Sequence, residues 1–216
     1  LFCISRKDLE KTDKIYITKG NKKQADVYIV EKNGSKIVIK DYKSKNFCIR
    51  TLGIILSYIE FKNYKKVNRE FDCFPKVYCM PDRYSIAIEY IDGNTINIAE
   101  EDEHYCFVIE KIQHCLREMH SKNIFHLDLR KKGNIIIKDS NIYFIDLTSM
   151  LVLSHANPLI ILKPLLSLID NSCILKWKLY ICPEKLSKSD IKKLKIYDLF
   201  RMIWVFSKHK TPKLKR

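Results

Sequence analysis

Glycine is scarce in this chain. Five are spread over 216 residues, as Gly20, Gly34, Gly53, Gly93 and Gly133, and no two make a G-x-G-x-x-G run, so each is a candidate for one specific turn. A paired-cysteine metal motif is missing too. The eight cysteines (Cys3, Cys48, Cys73, Cys79, Cys106, Cys115, Cys173 and Cys182) include no C-x-x-C, and His114 beside Cys115 has no ligands at ribbon or finger spacing, which argues against zinc. Scattered cysteines without a framework point to a reducing compartment and to packing in the core. The longest apolar run, Leu151 to Ile169, is interrupted by His155, Asn157, Pro158, Lys163 and Pro164. A spanning helix needs about 20 predominantly apolar residues, so a buried helix is expected there, with contact at a membrane surface as the sharper alternative. The first stretch is charged within a few residues, and a cleavable signal peptide is not expected in it.

Acidic residues are in deficit: 25 against 40 lysines and arginines, for a formal net charge of +15. The excess gathers toward the ends, at Lys7, Lys11, Lys14, Lys19, Lys22 and Lys23, then at Lys208, Lys210, Lys213, Lys215 and Arg216. Such a field concentrates anionic partners (nucleic acid, phosphorylated glycans, acidic membrane), or else it is a solvated lysine-rich surface. Hydrophobic residues make up 46% of the chain, enough for a folded domain with a sizeable core or for two small lobes sharing a cleft.

The hydrophobic pattern divides the chain. Asp26 to Val30 and Lys36 to Lys40 are β-prone runs around Asn33-Gly34, a pair that suits a tight hairpin. Phe47 to Val67 has helical patterning, with Leu52, Ile55, Leu56 and Ile59 on one side. Lys76 to Met80 and Tyr84 to Tyr90 read as two more strands joined at Pro81-Asp82, with Asp92-Gly93 ending the second. Asp102 to His120 is the clearest helix: Tyr105, Val108, Ile109, Ile112, Leu116 and Met119 recur at three- and four-residue steps. Two short strands follow, Asn134 to Lys138 and Ile142 to Ile145, turning at Asp139-Ser140-Asn141. The remainder is helical, with Ser187 and Asp190 as a capping start and Leu194, Tyr197, Met202, Ile203 and Phe206 on one face. Strands with one helix, then helices with a small hairpin, make an α+β arrangement.

The chemistry concentrates in His126-Leu127-Asp128-Leu129-Arg130-Lys131-Lys132-Gly133-Asn134 and, beyond the hairpin, Ile145-Asp146-Leu147-Thr148. An acid and an amide on one loop, then a second acid, suit phosphoryl transfer. One carboxylate orients or deprotonates the accepting hydroxyl, while the amide and the other carboxylate hold Mg²⁺ against the phosphates.

These residues resemble the protein-kinase-like superfamily. His126-x-Asp128-Leu129 resembles the catalytic-loop motif, Asn134 its metal-binding amide and Asp146 the DFG aspartate. Ile37-Val38-Ile39-Lys40 resembles the V-A-I-K strand, with Glu60 as the partner of its lysine and Glu89-Tyr90-Ile91 at the hinge to the adenine. The polar anchors run in the family's order from Asp26 to Thr148. The resemblance implies a bilobal fold in a single domain over residues 1–216, with a β-rich N-lobe over about 1–92 and a reduced helical C-lobe over about 93–216. It implies Mg-ATP as cofactor. Lys40, Glu60, Glu89, Ile91 and Gly20 would bind ATP, Asn134 and Asp146 the metal, and Asp128 with Arg130 would be catalytic. His126 would hold the loop backbone, and Asp170 or Asp198 would brace it. The chain departs from the regulated kinases: Gly20 alone is left for a phosphate-covering loop, Leu127 replaces an arginine, Thr148 a glycine, and Asp128 and Asn134 stand one residue further apart.

Those departures are similar to the small bacterial kinases of the lipopolysaccharide (Kdo/heptose) kinase and RIO-like group. Val38 to Tyr42, Asp128-Leu129-Arg130, Ile169-Asp170 and the stretch from Leu175-Lys176 to Leu186 carry that likeness. It implies a sugar hydroxyl of an anionic glycolipid as acceptor, a cytoplasmic location and peripheral contact with the inner face of an acidic membrane. The basic C-terminal tail also resembles the tRNA-pathway kinases, so a RIO-like or tRNA-pathway protein kinase or ATPase, with RNA or protein as partner, is the second reading. A pseudokinase binding scaffold is the third, opposed by the joint presence of Lys40, Glu60, Asp128, Asn134 and Asp146.

Overall fold

A computed structural model describes residues 3–21, 23–96, 103–154 and 156–203. Lys22, Asp102, His155, Phe206 and the C-terminal lysines lie outside them, as do the side chains of Tyr105, Asp198, Met202 and Ile203. The chain forms two compact units: residues 1–92 with 143–148, and residues 93–142 with 149–216.

The first unit holds α1 (Arg6–Lys11), β1 (Ile15–Thr18), β2 (Asp26–Lys32), β3 (Ser35–Asp41), α2 (Phe47–Val67), β4 (Val77–Asp82) and β5 (Ser85–Glu89). The strands make one antiparallel sheet in the order β1-β2-β3-β5-β4. Asn33 and Gly34 both take positive φ in the β2–β3 turn, as the sequence predicts. Period-two alternation along β3 buries Ile37, Ile39 and Asp41 on one face, where Ile4 and Leu9 pack with Tyr28 and Val30, and puts Lys40 on the other. Arg6 ties α1 to the sheet, 2.6 Å from Asp41 and 2.8 Å from Asp82. Burial opposes the charge on Asp82, but the hydrogen bonds from Arg6 and Ser85 outweigh it and hold the carboxyl below its ordinary value of 3.8. Its stabilising contribution is therefore complete above that value and lost as pH falls through the lowered one.

Three expectations change here. The β4–β5 turn falls on Arg83 and Tyr84, not on Pro81-Asp82, because the Asp82 carboxylate accepts from the Tyr84 amide and closes the turn one step later. In α2 the bounds are as predicted, but Leu52, Ile55 and Ile59 are exposed, and the buried stripe is Gly53, Ser57, Glu60, Tyr64 and Val67. The register is set by Glu60, whose carboxylate must meet Lys40, so a polar contact overrides the apolar pattern. The cysteines do not all pack as thiols: Cys106 and Cys182, 76 residues apart, form a disulfide within the second unit, a pairing no local spacing reveals.

The second unit holds β6 (Asn94–Thr95), α3 (Glu103–Ser121), β7 (Ile124–Phe125), β8 (Ile135–Lys138), the start of β9 (Asn141–Phe144), β10 (Leu151–Val152), α4 (Lys163–Ile181) and α5 (Lys188–Ile203). β6 pairs with β8, and β7 with β10. The β8–β9 turn is Asp139-Ser140, both at positive φ, so Asn141 already belongs to the strand. Helix α3 buries Val108, Ile109, Ile112, Leu116 and Met119, the stripe its periodicity predicts. Ser187 and Asp190 form a reciprocal capping box before α5, which buries Leu194. The apolar run from Leu151 is not one buried helix. Pro158 opens a 3-10 turn (Pro158–Leu162), Pro164 stands in the first turn of α4, and Leu151, Val152, Leu159, Ile161, Leu162 and Leu165 are exposed.

Candidate active site

In the first unit the β3 lysine, the α2 glutamate and the aspartate of the 143–148 segment meet. Lys40 Nζ lies 2.8 Å from Glu60 Oε2 and 2.8 Å from Asp146 Oδ1. Glu60 is 2% exposed, so its geometry is fixed by packing on all sides. Burial by itself would strip the proton from Lys40, but the negative charges of Glu60 and Asp146 hold its pKa well above the ordinary lysine value. Burial raises the Glu60 carboxyl, with Lys40 opposing. Asp146 has φ +64, the left-handed region, which is uncommon for a non-glycine residue. Its Oδ1 also accepts from the Thr148 hydroxyl at 2.8 Å, so the threonine in the glycine's place steadies the carboxylate. Asn63 fixes the same segment by donating to the Leu147 carbonyl.

The loop between β1 and β2 is held by Lys45, whose ammonium donates to the Gly20 carbonyl at 3.1 Å and pairs with Asp26 at 2.7 Å. A Cβ on Gly20 would lie 2.1 Å from the Ala25 carbonyl oxygen, so only glycine fits this close approach. Gly20→Ala must displace the loop. If that loop covers the phosphates, a distortion of about 1–2 kcal/mol raises KM for ATP on the order of tenfold with kcat little changed, and initial-rate kinetics read the split. At the end of β5, Glu89 accepts from the Lys76 amide through its carboxylate, and Ile91 is buried. The Glu89 amide in turn donates to the Lys76 carbonyl at 2.8 Å.

In the second unit the loop from His126 to Asn134 hangs from α4. Asp170, 2% exposed, accepts from the backbone amides of His126 (2.9 Å) and Leu127 (2.6 Å) and lies 3.1 Å from His120 Nε2. Trp177 Nε1 donates to the Leu129 carbonyl at 3.0 Å, and the Lys176 ammonium donates to the Arg130 carbonyl. Asp170 is thus the brace, a role the sequence leaves open between it and Asp198. His126 is fully buried, and its carbonyl accepts from Ser149, so it holds the loop through its backbone as expected. Leu127 sits at φ +67 in the arginine's place.

The extra residue before Asn134 is absorbed by a 3-10 turn, Lys132–Asn134. That turn brings Asn134 Nδ2 to 2.8 Å from Asp128 Oδ2 and 3.0 Å from the Asp128 carbonyl. The amide nitrogen is thereby engaged, and the hard oxygen is the atom a Mg²⁺ takes. Arg130, expected to be catalytic, makes a contact that ties the loop to α4. Its guanidinium donates to the Ser172 carbonyl on α4, which makes it a positioning residue of the loop. Lys45 is a structural partner that the motif pattern does not mark, whereas Lys176 and Trp177 fall in the stretch that carries the kinase likeness, with no role given to them there. The i, i+7 spacing of Asp170 and Trp177 puts both on one helix face. Among the described residues, one cysteine-containing group has metal-ligand proximity, Cys106, Cys182 and Glu184, and its two sulfurs are joined as the disulfide.

Comparison with solved structures identifies the fold. The chain matches the structure of the Rio2 kinase ADP/Mg²⁺-phosphoaspartate complex from Chaetomium thermophilum with a TM-score of 0.61 at 13% identity, over 92% of this chain and 74% of that one. A second Rio2 kinase structure from the same organism matches with a TM-score of 0.58 at 15% identity, over 91% and 76%. The chain has a protein-kinase-like fold. Within this kinase-like chain, residues 61–157 match the family model described as lipopolysaccharide core biosynthesis protein (WaaY). No curated protein matches it. Of the residues that carry the kinase resemblance, Lys40, Glu60 and Asp146 meet in the first unit, and Asp128 and Asn134 meet in the second.

Proposed function

We propose that this kinase transfers the γ-phosphate of Mg-ATP to a sugar hydroxyl of an anionic glycolipid of the lipopolysaccharide type, working in the cytoplasm against the inner face of the membrane. The observation that carries the transfer chemistry is Lys40 held between Glu60 and Asp146, since a pure binding scaffold has no need of a buried lysine with two acidic partners. The acceptor class is supported by the match over residues 61–157, which takes in Asp128, Asn134 and Asp146, and by the formal charge of +15, which favours phosphorylated acceptors.

The donor set is of oxygen ligands, one carboxylate and one amide, the chemistry Mg²⁺ prefers. Bound Mg²⁺ would neutralise phosphate charge during transfer. Lys40, steered by Glu60, steadies the α- and β-phosphates. Asp146 in the first unit and Asn134 in the second each offer an oxygen of the kind Mg²⁺ takes. Asp128, its Oδ2 fixed by the Asn134 amide, accepts a hydrogen bond from the attacking hydroxyl and orients its lone pair for in-line displacement. Arg130 keeps the loop seated on α4.

The test is transfer from γ-labelled ATP into a cell extract separated into glycolipid, protein and RNA fractions, with and without chelator. Mg²⁺-dependent label in the glycolipid fraction is expected. Label confined to protein or RNA would replace this acceptor with the RIO-like or tRNA-pathway one.

A further inference from the structure

We propose that the 3-10 turn and the first turn of α4 form a membrane-insertion surface for acidic bilayers. This deepens the reading above and rests on it for the acceptor's location. The turn is Pro158-Leu159-Ile160-Ile161-Leu162, and only Ile160 packs inward, against the cluster of Phe125, Leu153 and Leu166. Its neighbours point away: Ile161 is 81% exposed, and Leu159, Leu162 and Leu165 are exposed beside it. Leu151 and Val152, on the strand that pairs with β7, extend the same apolar region, since Leu153, the next residue, shares the buried cluster with Ile160 and Leu166.

Lysines stand at its rim. Lys163 reaches the Asn123 side chain at 2.6 Å, the Leu153 amide donates to the Asn123 carbonyl, and exposed Lys122 precedes that asparagine. The side chains of the patch are all aliphatic. Protein interfaces concentrate Tyr, Trp, Met and Arg at their centres, and none of these occurs among Leu151, Val152, Leu159, Ile161, Leu162 and Leu165. Aliphatic side chains with two lysines along one edge suit the boundary between acyl chains and anionic headgroups, with the lysine stems along the hydrocarbon and the ammonium groups toward the phosphates.

Residues Pro158–Ile181 are long and apolar enough by composition to cross a bilayer. The second half of that stretch, however, carries Asp170, Lys176 and Trp177, all committed to the catalytic loop. Shallow insertion of its first end leaves those bonds intact, and β7, paired with β10, runs directly into the loop that carries Asp128. The surface therefore sets the acceptor-side loop near the plane where a glycolipid's sugars begin.

The experiment is flotation of the full chain with phosphatidylglycerol-containing vesicles and with pure phosphatidylcholine vesicles. Wild type should float with the acidic vesicles only, and less as salt rises. The double variant Leu159→Glu/Ile161→Glu alters exposed side chains and should keep the wild-type thermal midpoint while partitioning at least about tenfold more weakly. The control pair Leu52→Glu/Ile55→Glu, an equal charge change on the exposed face of α2, should float as wild type. Unchanged flotation of the double variant, no flotation of wild type, or loss with the control pair instead would each overturn the proposal. So would a concentration-dependent dimer that the double variant dissolves, since the face would then be a contact between two copies. Label transfer to a delipidated, water-soluble core oligosaccharide is measured in parallel. The double variant should match wild type there, whereas absence of transfer by both proteins would remove the acceptor reading and leave the flotation result standing.

Discussion

Asp128→Asn is expected to bind Mg-ATP with near wild-type affinity and to transfer phosphate roughly 10²–10⁴-fold more slowly, the range a positioned base contributes. The substitution keeps the size of the side chain. It removes the charge that accepts the hydroxyl proton, and it replaces the acceptor Oδ2 of the Asn134 contact with an amide that can offer oxygen or nitrogen. The affinity is read by calorimetric titration of ATP in Mg²⁺, and the rate by single-turnover labelling, which separates chemistry from product release. An Asp128→Asn protein that transfers at the wild-type rate would remove Asp128 from the chemistry. A lost affinity with an unchanged single-turnover rate would instead make it a ligand-binding residue.

Asp170→Ala should be the most destabilising single change in the second unit. It leaves the His126 and Leu127 amides without an acceptor in a region where His126 is fully exposed to no solvent, and it abandons the contact with His120. One buried and one half-buried donor left unmade, each once bonded to a carboxylate, cost on the order of 3–5 kcal/mol together. A urea midpoint shift without a change in m would measure it. Asp170→Asn keeps a side-chain acceptor and should recover part of the loss. A midpoint equal to wild type in Asp170→Ala would show that the loop does not depend on α4. The distinction matters for function, because Trp177 and Lys176 hold the next stretch of the same loop and would carry it alone if Asp170 did not.

Local signals in the sequence were those with a short-range cause. Asn33-Gly34 announces its hairpin because both residues take positive φ cheaply, and Ser187 with Asp190 announces a helix start because the cap is closed within three residues. Both bounds of α2 are legible for the same reason, with Asn46 as its cap. Its buried face is not. Leu52, Ile55 and Ile59 form an apolar stripe, yet the residue that must turn inward is Glu60, and a partner on another strand decides that. The candidate site follows the same division. Lys40, Glu60, Asp128, Asn134 and Asp146 are readable because each stands where the resemblance to the kinase motifs expects it, in the family's order. The bonds that aim them are long-range: Asp170 to His126 spans 44 residues and Trp177 to Leu129 spans 48. Arg130 adds a bond of the same long-range kind, from its guanidinium to the Ser172 carbonyl 42 residues away.

Residues 143–148 belong to the first unit although residues 93–142 lie between them and the rest of it. During synthesis the sheet that carries Lys40 has therefore emerged well before the aspartate that completes its charge balance. At roughly 5–20 residues per second, the intervening stretch keeps Lys40 and Glu60 waiting for Asp146 on the order of 3–10 seconds. A nascent chain arrested before residue 146 would hold the lysine and the glutamate as a bare ion pair, so the phosphate site matures as a late event of translation, after most of α3 has left the ribosome.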